Sequence, residues 1–186
     1  MTPTQNPPTQ SRGADDLLAA DHDHDITDGQ GGATDTEVRF AALLLSNLPL
    51  STLLELMEPL AREMFVAPIP RWVFQVAIVC IGEGVSPDPG ILHDVALRHR
   101  IDVPPAFRGH VVSRLWSLQD MAPAAPAARY YRDLLLTNHC RRTTELVGNR
   151  ISAAAWSGEL AEVHAVVSGE LSALAALLSV AVDHNV

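Results

Sequence analysis

From residue 36 onward the apolar positions recur at steps of three and four, and nowhere do they alternate at period two over the length of a strand. That spacing places side chains on one face of a helix, so the chain reads as all-α. The longest such stretch runs from residue 126 to about residue 183 and predicts two long helices folded back on each other through Trp156, Ser157, Gly158 and Glu159. Pro126 suits a first helical position, because its φ is fixed and its missing N–H would have no intrahelical acceptor there. The second arm is the better patterned, with Leu160, Val163, Val167, Leu171, Leu174, Leu178 and Ala181 on one stripe. Such a stripe has to be covered by the first arm, by the rest of the domain or by another copy of the chain. Two arms of this length expose more apolar edge than one arm covers. The stripe from Leu160 to Leu178 is therefore expected to form a self-association interface, giving a dimer or a ring of dimers.

Upstream of the hairpin the pattern breaks into shorter elements. Thr34 and Glu37 have the spacing of a capping box, and Val38, Ala41, Leu44, Leu45 and Leu48 then predict a short amphipathic helix that ends before Pro49. Thr52 and Glu55 repeat the capping spacing and open a second helix to about Met57. Pro68 and Pro70 mark the next boundary. Residues 71–81 form a helix that is apolar on most faces, as expected at the centre of a core, and Gly82, Glu83 and Gly84 stop it. Asp88 followed by Pro89 reads as an N-cap and first turn, opening a helix to about Arg100. Pro104 and Pro105 open another through Val111, Val112, Leu115 and Leu118, and the Ala/Pro stretch at 122–126 is a stiff connector into the hairpin. The expected organisation is a tail at 1–35, a helical head at 36–125 and a hairpin at 126–183 belonging to the same domain.

Charge sharpens the distinction between tail and domain. Residues 1–35 hold seven Asp against one Arg, whereas residues 36–186 hold fifteen acids against twelve Arg, so most of the net charge of −9 belongs to the tail. With few apolar residues, such a segment cannot offset the entropy of ordering and is expected to be disordered. Its alternating Asp21, His22, Asp23, His24 and Asp25 could bind a divalent transition metal weakly, but a flexible pentapeptide supplies no orienting groups around the ligands. The plainer readings are a solvated acidic run or a short acidic-apolar peptide that folds on a partner. No metal or cofactor site is assigned.

The remaining composition argues against catalysis. All thirteen Lys+Arg positions are Arg, so the phosphate-binding-loop lysine, Schiff-base chemistry and lysine bases are excluded together. Cys80 and Cys140 show no metal-like or redox spacing and read as reduced, mostly buried thiols. His93 and His99 lie on different faces of one predicted helix, and His110, His139 and His164 have no carboxylate at metal-like spacing. No serine sits in a Gly-x-Ser-x-Gly elbow. With neither a signal-peptide pattern nor an apolar run long enough to span a membrane, the expected location is the cytoplasm.

What is left points to contacts. Trp72, Trp116, Trp156, Tyr130 and Tyr131 are expected to pack in the core with their polar tips satisfied at its edge, except that Trp156, at the hairpin tip, is a candidate partner contact. Arg129, Arg132, Arg141, Arg142 and Arg150 make the first arm basic, and Glu159, Glu162, Glu170 and Asp183 make the second acidic. Complementary charge between arms, or between arms of two subunits, is the simple reading. Arg129, Arg132, Arg141 and Arg142 are the further candidates for a partner. A net charge of −9 opposes a free-standing duplex binder, so any DNA association is expected to be indirect.

Phe65, the core helix at 71–81, Gly84, Asp88 with Pro89, Tyr130 with Tyr131, Arg141 with Arg142, Ile151, and Gly158-Glu159-Leu160 occur in an order that resembles the N-terminal domain of DnaB-type replicative helicases over roughly residues 36–182. The resemblance implies a compact helical head followed by a hairpin, with no catalytic residues of its own. It also implies hairpins that pair subunits and heads that build a collar above the motor ring, where primase docks. The helical fold is similar too to the helicase-binding domain of bacterial primases. Because the sequence ends at Val186, where a helicase continues into its motor, the expectation is a collar domain without ATP hydrolysis or unwinding. The expected function is a non-enzymatic replication adaptor that self-associates and engages a replicative helicase or primase. The alternative is a self-assembling structural or regulatory protein that kept the fold without helicase contact, and a metal enzyme built on the Asp/His run is the third reading.

Overall fold

The computed structural model describes residues 33–183. Seven α-helices follow one another: α1 (Ala33–Leu44), α2 (Leu50–Met57), α3 (Pro68–Gly82), α4 (Pro89–Arg98), α5 (Val111–Asp120), α6 (Ala128–Ser157) and α7 (Leu160–Asp183). Three short 3-10 turns, Arg62–Met64, Pro105–Phe107 and Ala125–Ala127, lie between them, and there is no strand among the described residues. The fold is all-α, with α1 to α5 forming a head and α6 and α7 a hairpin.

α1 and α3 share the centre of the head. α1 packs against α3, α5 and α6, and every residue from 40 to 45 is buried. A helix expected to be amphipathic is thus covered all round at its C-terminal end. α3 contributes Trp72, Val73, Phe74, Val76, Ala77 and Cys80 to the same core. Phe65, fully buried, joins the two helices, its ring 6.2 Å from Phe40 and 4.7 Å from Phe74. Offset and tilted aromatic contacts of this kind add to the burial of their large apolar surface.

Both predicted capping boxes are replaced by other arrangements. Thr34 lies inside α1, and α2 already begins at Leu50, with Pro49 at its N-cap and no side-chain cap. Glu37 is instead 1% exposed, and its carboxylate accepts the Val66 N–H at 3.0 Å and the Ala67 N–H at 2.8 Å. Ala67 is the N-cap of α3, whose next residue, Pro68, has no N–H, so one side chain of α1 serves the entry to the other central helix. The carboxylate therefore joins elements about thirty residues apart in the chain.

The other boundaries follow their local chemistry. Asp88 caps α4 as expected, its Oδ1 accepting from Gly90 N at 2.8 Å and Ile91 N at 3.0 Å. Gly84, at φ 73°, ends α3: Val85 N–H donates to Cys80 O and Gly84 N–H to Ile81 O, the paired bonds of a Schellman turn. The helix predicted from Pro104 through Leu118 forms, but it starts later than the prolines suggest. Pro105–Phe107 makes a 3-10 turn that buries Phe107 edge-on to Trp72, the chain reverses through Gly109 at φ 83°, and α5 starts at Val111. Pro126 likewise sits in a 3-10 turn ahead of α6 rather than opening it. Helix α1 also begins within the stretch assigned to the tail.

Candidate interaction surface

The hairpin turns over two residues, Gly158 and Glu159, and this short connection makes α6 and α7 antiparallel. Arg150 on α6 reaches Glu170 on α7 at 2.9 Å, linking the two arms near the middle of the pair. α6 also packs against α1, α2 and the 62–64 turn, whereas the substantial contacts of α7 are with α6 alone. One arm is built into the head, and the other leans on the first.

The apolar stripe of α7 is divided by this packing. Val163, Val167 and Leu174 are half-buried, whereas Leu160, Leu171 and Leu178 are 86%, 52% and 44% exposed. At 100° per residue the two sets lie on parallel lines roughly 40° apart around the helix. α6 covers one line and leaves the other open. Near the end of α7, Leu178 borders a shallow groove of about 550 Å³ whose α6 wall includes Thr137, Cys140, Arg141 and Thr144. At the tip, Trp156 is 91% exposed and Leu160, just past the turn, 86%. An indole and leucines presented in this way form a continuous apolar edge along one side of the hairpin.

The arginines separate into two groups. Arg132 is 8% exposed and pairs with Asp133 at 2.7 Å, so it is part of the buried head–hairpin junction and not a surface contact. Arg142 donates to the Met64 carbonyl and lies 3.7 Å from the buried Glu37 carboxylate, which gives it a structural task inside the chain. Arg129 is exposed but bonds Glu55 of α2. Arg141 is exposed beside the groove at Leu178. Of the expected cross-arm charge pairs, the Arg150–Glu170 pair is present. The aromatic expectation also needs correction, because Trp116 is 50% and Tyr130 62% exposed, and the buried Trp72 Nε1 has no hydrogen-bond partner among the described residues.

Burial, reinforced by Glu83, pushes the Cys80 thiol up to about 11, so it stays protonated at neutral pH and is a poor nucleophile. Burial raises Cys140 as well. His99 sits 2.7 Å from Glu83, which also binds Arg98, and the hydrogen bonds from His99 and Arg98 hold the Glu83 carboxyl below its ordinary value. This cluster ties the end of α3 to the end of α4. Among the described residues no group of three His, Cys, Asp or Glu could hold a metal ion, and no helix is long and apolar enough to cross a membrane. Asp21, His22, Asp23, His24 and Asp25 lie outside the described residues.

No family model matches the sequence, and no curated protein matches it either. The structure, however, is similar to the crystal structure of the N-terminal domain of DnaB helicase from Mycobacterium tuberculosis. The TM-score is 0.64 at 20% identity, over 75% of this chain and 94% of that one. The chain has the DnaB N-terminal fold. At this identity the likeness is one of fold, and the residues that would meet a partner have to be argued from this chain's own surface.

Sequence reasoning missed two features. Glu37 carried a signal, being an acid directly before the apolar series that forms the centre of α1, but local spacing pointed to a cap on its own helix. Leu54 and Ile78, both exposed, line a groove on the head. No periodicity distinguishes them from their buried neighbours.

Proposed function

We propose that this protein is a non-enzymatic replication adaptor that pairs with itself through the hairpin and engages a replicative helicase or primase through the same helical surface. The observation that carries the reading is the open line of Leu160, Leu171 and Leu178, together with the exposed Trp156, on a chain with the DnaB N-terminal fold. An isologous contact places identical stripes against each other, and a hairpin that pairs with its own copy can also pair with a helicase subunit presenting a similar edge. Trp156 and Arg141 are the side chains best placed to meet such a partner. Arg129 joins them by exchanging its bond to Glu55. DNA is reached only through the partner. The acidic tail at 1–35 and a cytoplasmic setting belong to the same proposal.

The test is size-exclusion chromatography with light scattering, on the protein alone and then with the cognate replicative helicase or primase. The expected result is a dimer or ring of dimers that co-elutes with one of them. A monomer that binds neither removes the reading. The 20% identity supports a second reading, a self-assembling structural or regulatory protein without helicase contact. Self-association without co-elution selects it.

A further inference from the structure

The head carries a groove that takes no part in the hairpin. It lies between the C-terminal halves of α2 and α3 and has a volume of about 650 Å³, with Leu54, Met57, Ile78 and Ile81 along its walls. Leu54 is 57% and Ile78 49% exposed, although most of the large apolar side chains around them on both helices are in the core. The groove is therefore an apolar trough open to solvent.

Both walls end in acid. α2 is C-capped by Glu58 and α3 by Glu83, and Glu55 also lines the trough. Unpaired carbonyls give a helix C-terminus a partial negative charge, so a glutamate there is locally unfavourable. Glu83 is compensated by Arg98 and His99, and Glu55 by Arg129. Glu58 is exposed and makes no ion pair among the described residues. The uncompensated Glu58 carboxylate thus leaves a negative charge on the rim of an apolar surface. Gly82 lines the trough too, and a Cβ built on it meets nothing within 4 Å, so the wall there is flat and open.

We propose that this trough docks a short amphipathic helix of a partner protein, with two or three large aliphatic residues on one face and Arg or Lys flanking them. Its volume lies within the ~300–1,000 Å³ typical of sites that enclose compact apolar groups. Anchors at helical spacing suit a groove between two helices, and the described residues contain no strand edge for an extended peptide to pair with. The unpaired Glu58 selects a basic flank and repels an acidic one. The apolar walls come from α2 and α3, with Arg129 of α6 at the rim through Glu55, and the proposal does not depend on hairpin pairing.

The probe is a fluorescein-labelled amphipathic peptide of about fifteen residues, long enough for four helical turns, with leucines at i, i+3, i+4 and i+7 and arginines on the flanks. A counterpart carries Glu in place of each Arg. Fluorescence anisotropy with the full chain should show saturable binding of the basic peptide that weakens as salt screens the rim. Gly82→Phe, which fills the flat wall, and Ile78→Asp should each weaken it about tenfold or more, a loss of ~1.4 kcal/mol. Glu58→Arg, at an exposed position, should weaken the basic peptide and strengthen the acidic one, with circular dichroism showing an unchanged fold. Absence of saturable binding, equal binding of the acidic peptide, or binding indifferent to both Gly82→Phe and Glu58→Arg would overturn the proposal. A lower oligomeric mass for Gly82→Phe than for the wild type would overturn it in favour of a second copy as the occupant.

Discussion

Helices α1 and α7 are both rich in apolar residues, yet their surroundings differ. Along α1 the side chains from Phe40 to Leu44 are buried by α3, α5 and α6 together. Along α7 the corresponding stripe leans on α6 alone, and Leu160, Leu171 and Leu178 remain open. An apolar face states that a helix must be covered, but not by what. The head meets that demand within one chain, and the hairpin meets only half of it.

Substitutions can separate the two regions. The largest loss is expected for Glu37→Ala, which strips the Val66 and Ala67 N–H groups of their acceptor and leaves Arg142 without its buried counter-charge. A loss of ~3–5 kcal/mol should appear in urea denaturation. A result below about 1 kcal/mol would mean that the clamp does not hold the two central helices together. Phe65→Ala should cost a similar ~3–5 kcal/mol, because a fully buried ring between Phe40 and Phe74 leaves a cavity that the helices cannot close.

In the hairpin the same kind of change should act on assembly instead. Leu171→Asp places a charge on the open line at little expense to the monomer, within about 1 kcal/mol, but any seam formed there would have to bury it. Light scattering should then report a smaller assembly than the wild type. Leu174→Asp, on the half-buried line, should reduce assembly as well. Unchanged masses in both folded variants would remove the interface.

Smaller effects sharpen the comparison inside the head. Asp88→Ala should cost ~1 kcal/mol by freeing the Gly90 and Ile91 N–H groups, measurable as a lower midpoint in thermal melts. The last effect is a shallow dependence on pH. Burial, then the nearby Arg142, hold His139 below its ordinary 6.5 in the folded chain. The unfolded chain takes up that proton more readily. The contribution of neutral His139 is thus fully present above 6.5 and is lost as pH falls from there toward the folded value. Glu83 acts in a lower window: its depressed carboxyl favours the fold above 4.5, and that advantage disappears as pH falls through the folded value. Melting temperatures between about pH 7.5 and pH 5.5 should fall less for His139→Gln than for the wild type. Identical slopes would show that another group titrates in this window.

The legible part of the structure was whatever local spacing decides. Asp88 before Pro89, the glycines around Glu83 and the α7 stripe all act through neighbours one to four residues away, and each marks its element in the sequence. Thr34 with Glu37 had equally good local spacing and misled, because a carboxylate can satisfy an N–H anywhere that folding brings within reach. For Glu37 the acceptors' demand came from α3, not from the start of α1.

The sequence by itself determined the helices, their order and the hairpin, since periodicity, caps and breakers are properties of short segments. Tertiary structure decided which helix is central, that Arg132 and Arg142 belong to the interior, and that Leu160, Leu171, Leu178, Leu54 and Ile78 are left open. Burial depends on which faces meet. Two leucines with the same neighbours in the chain differ only in what the rest of the fold places against them.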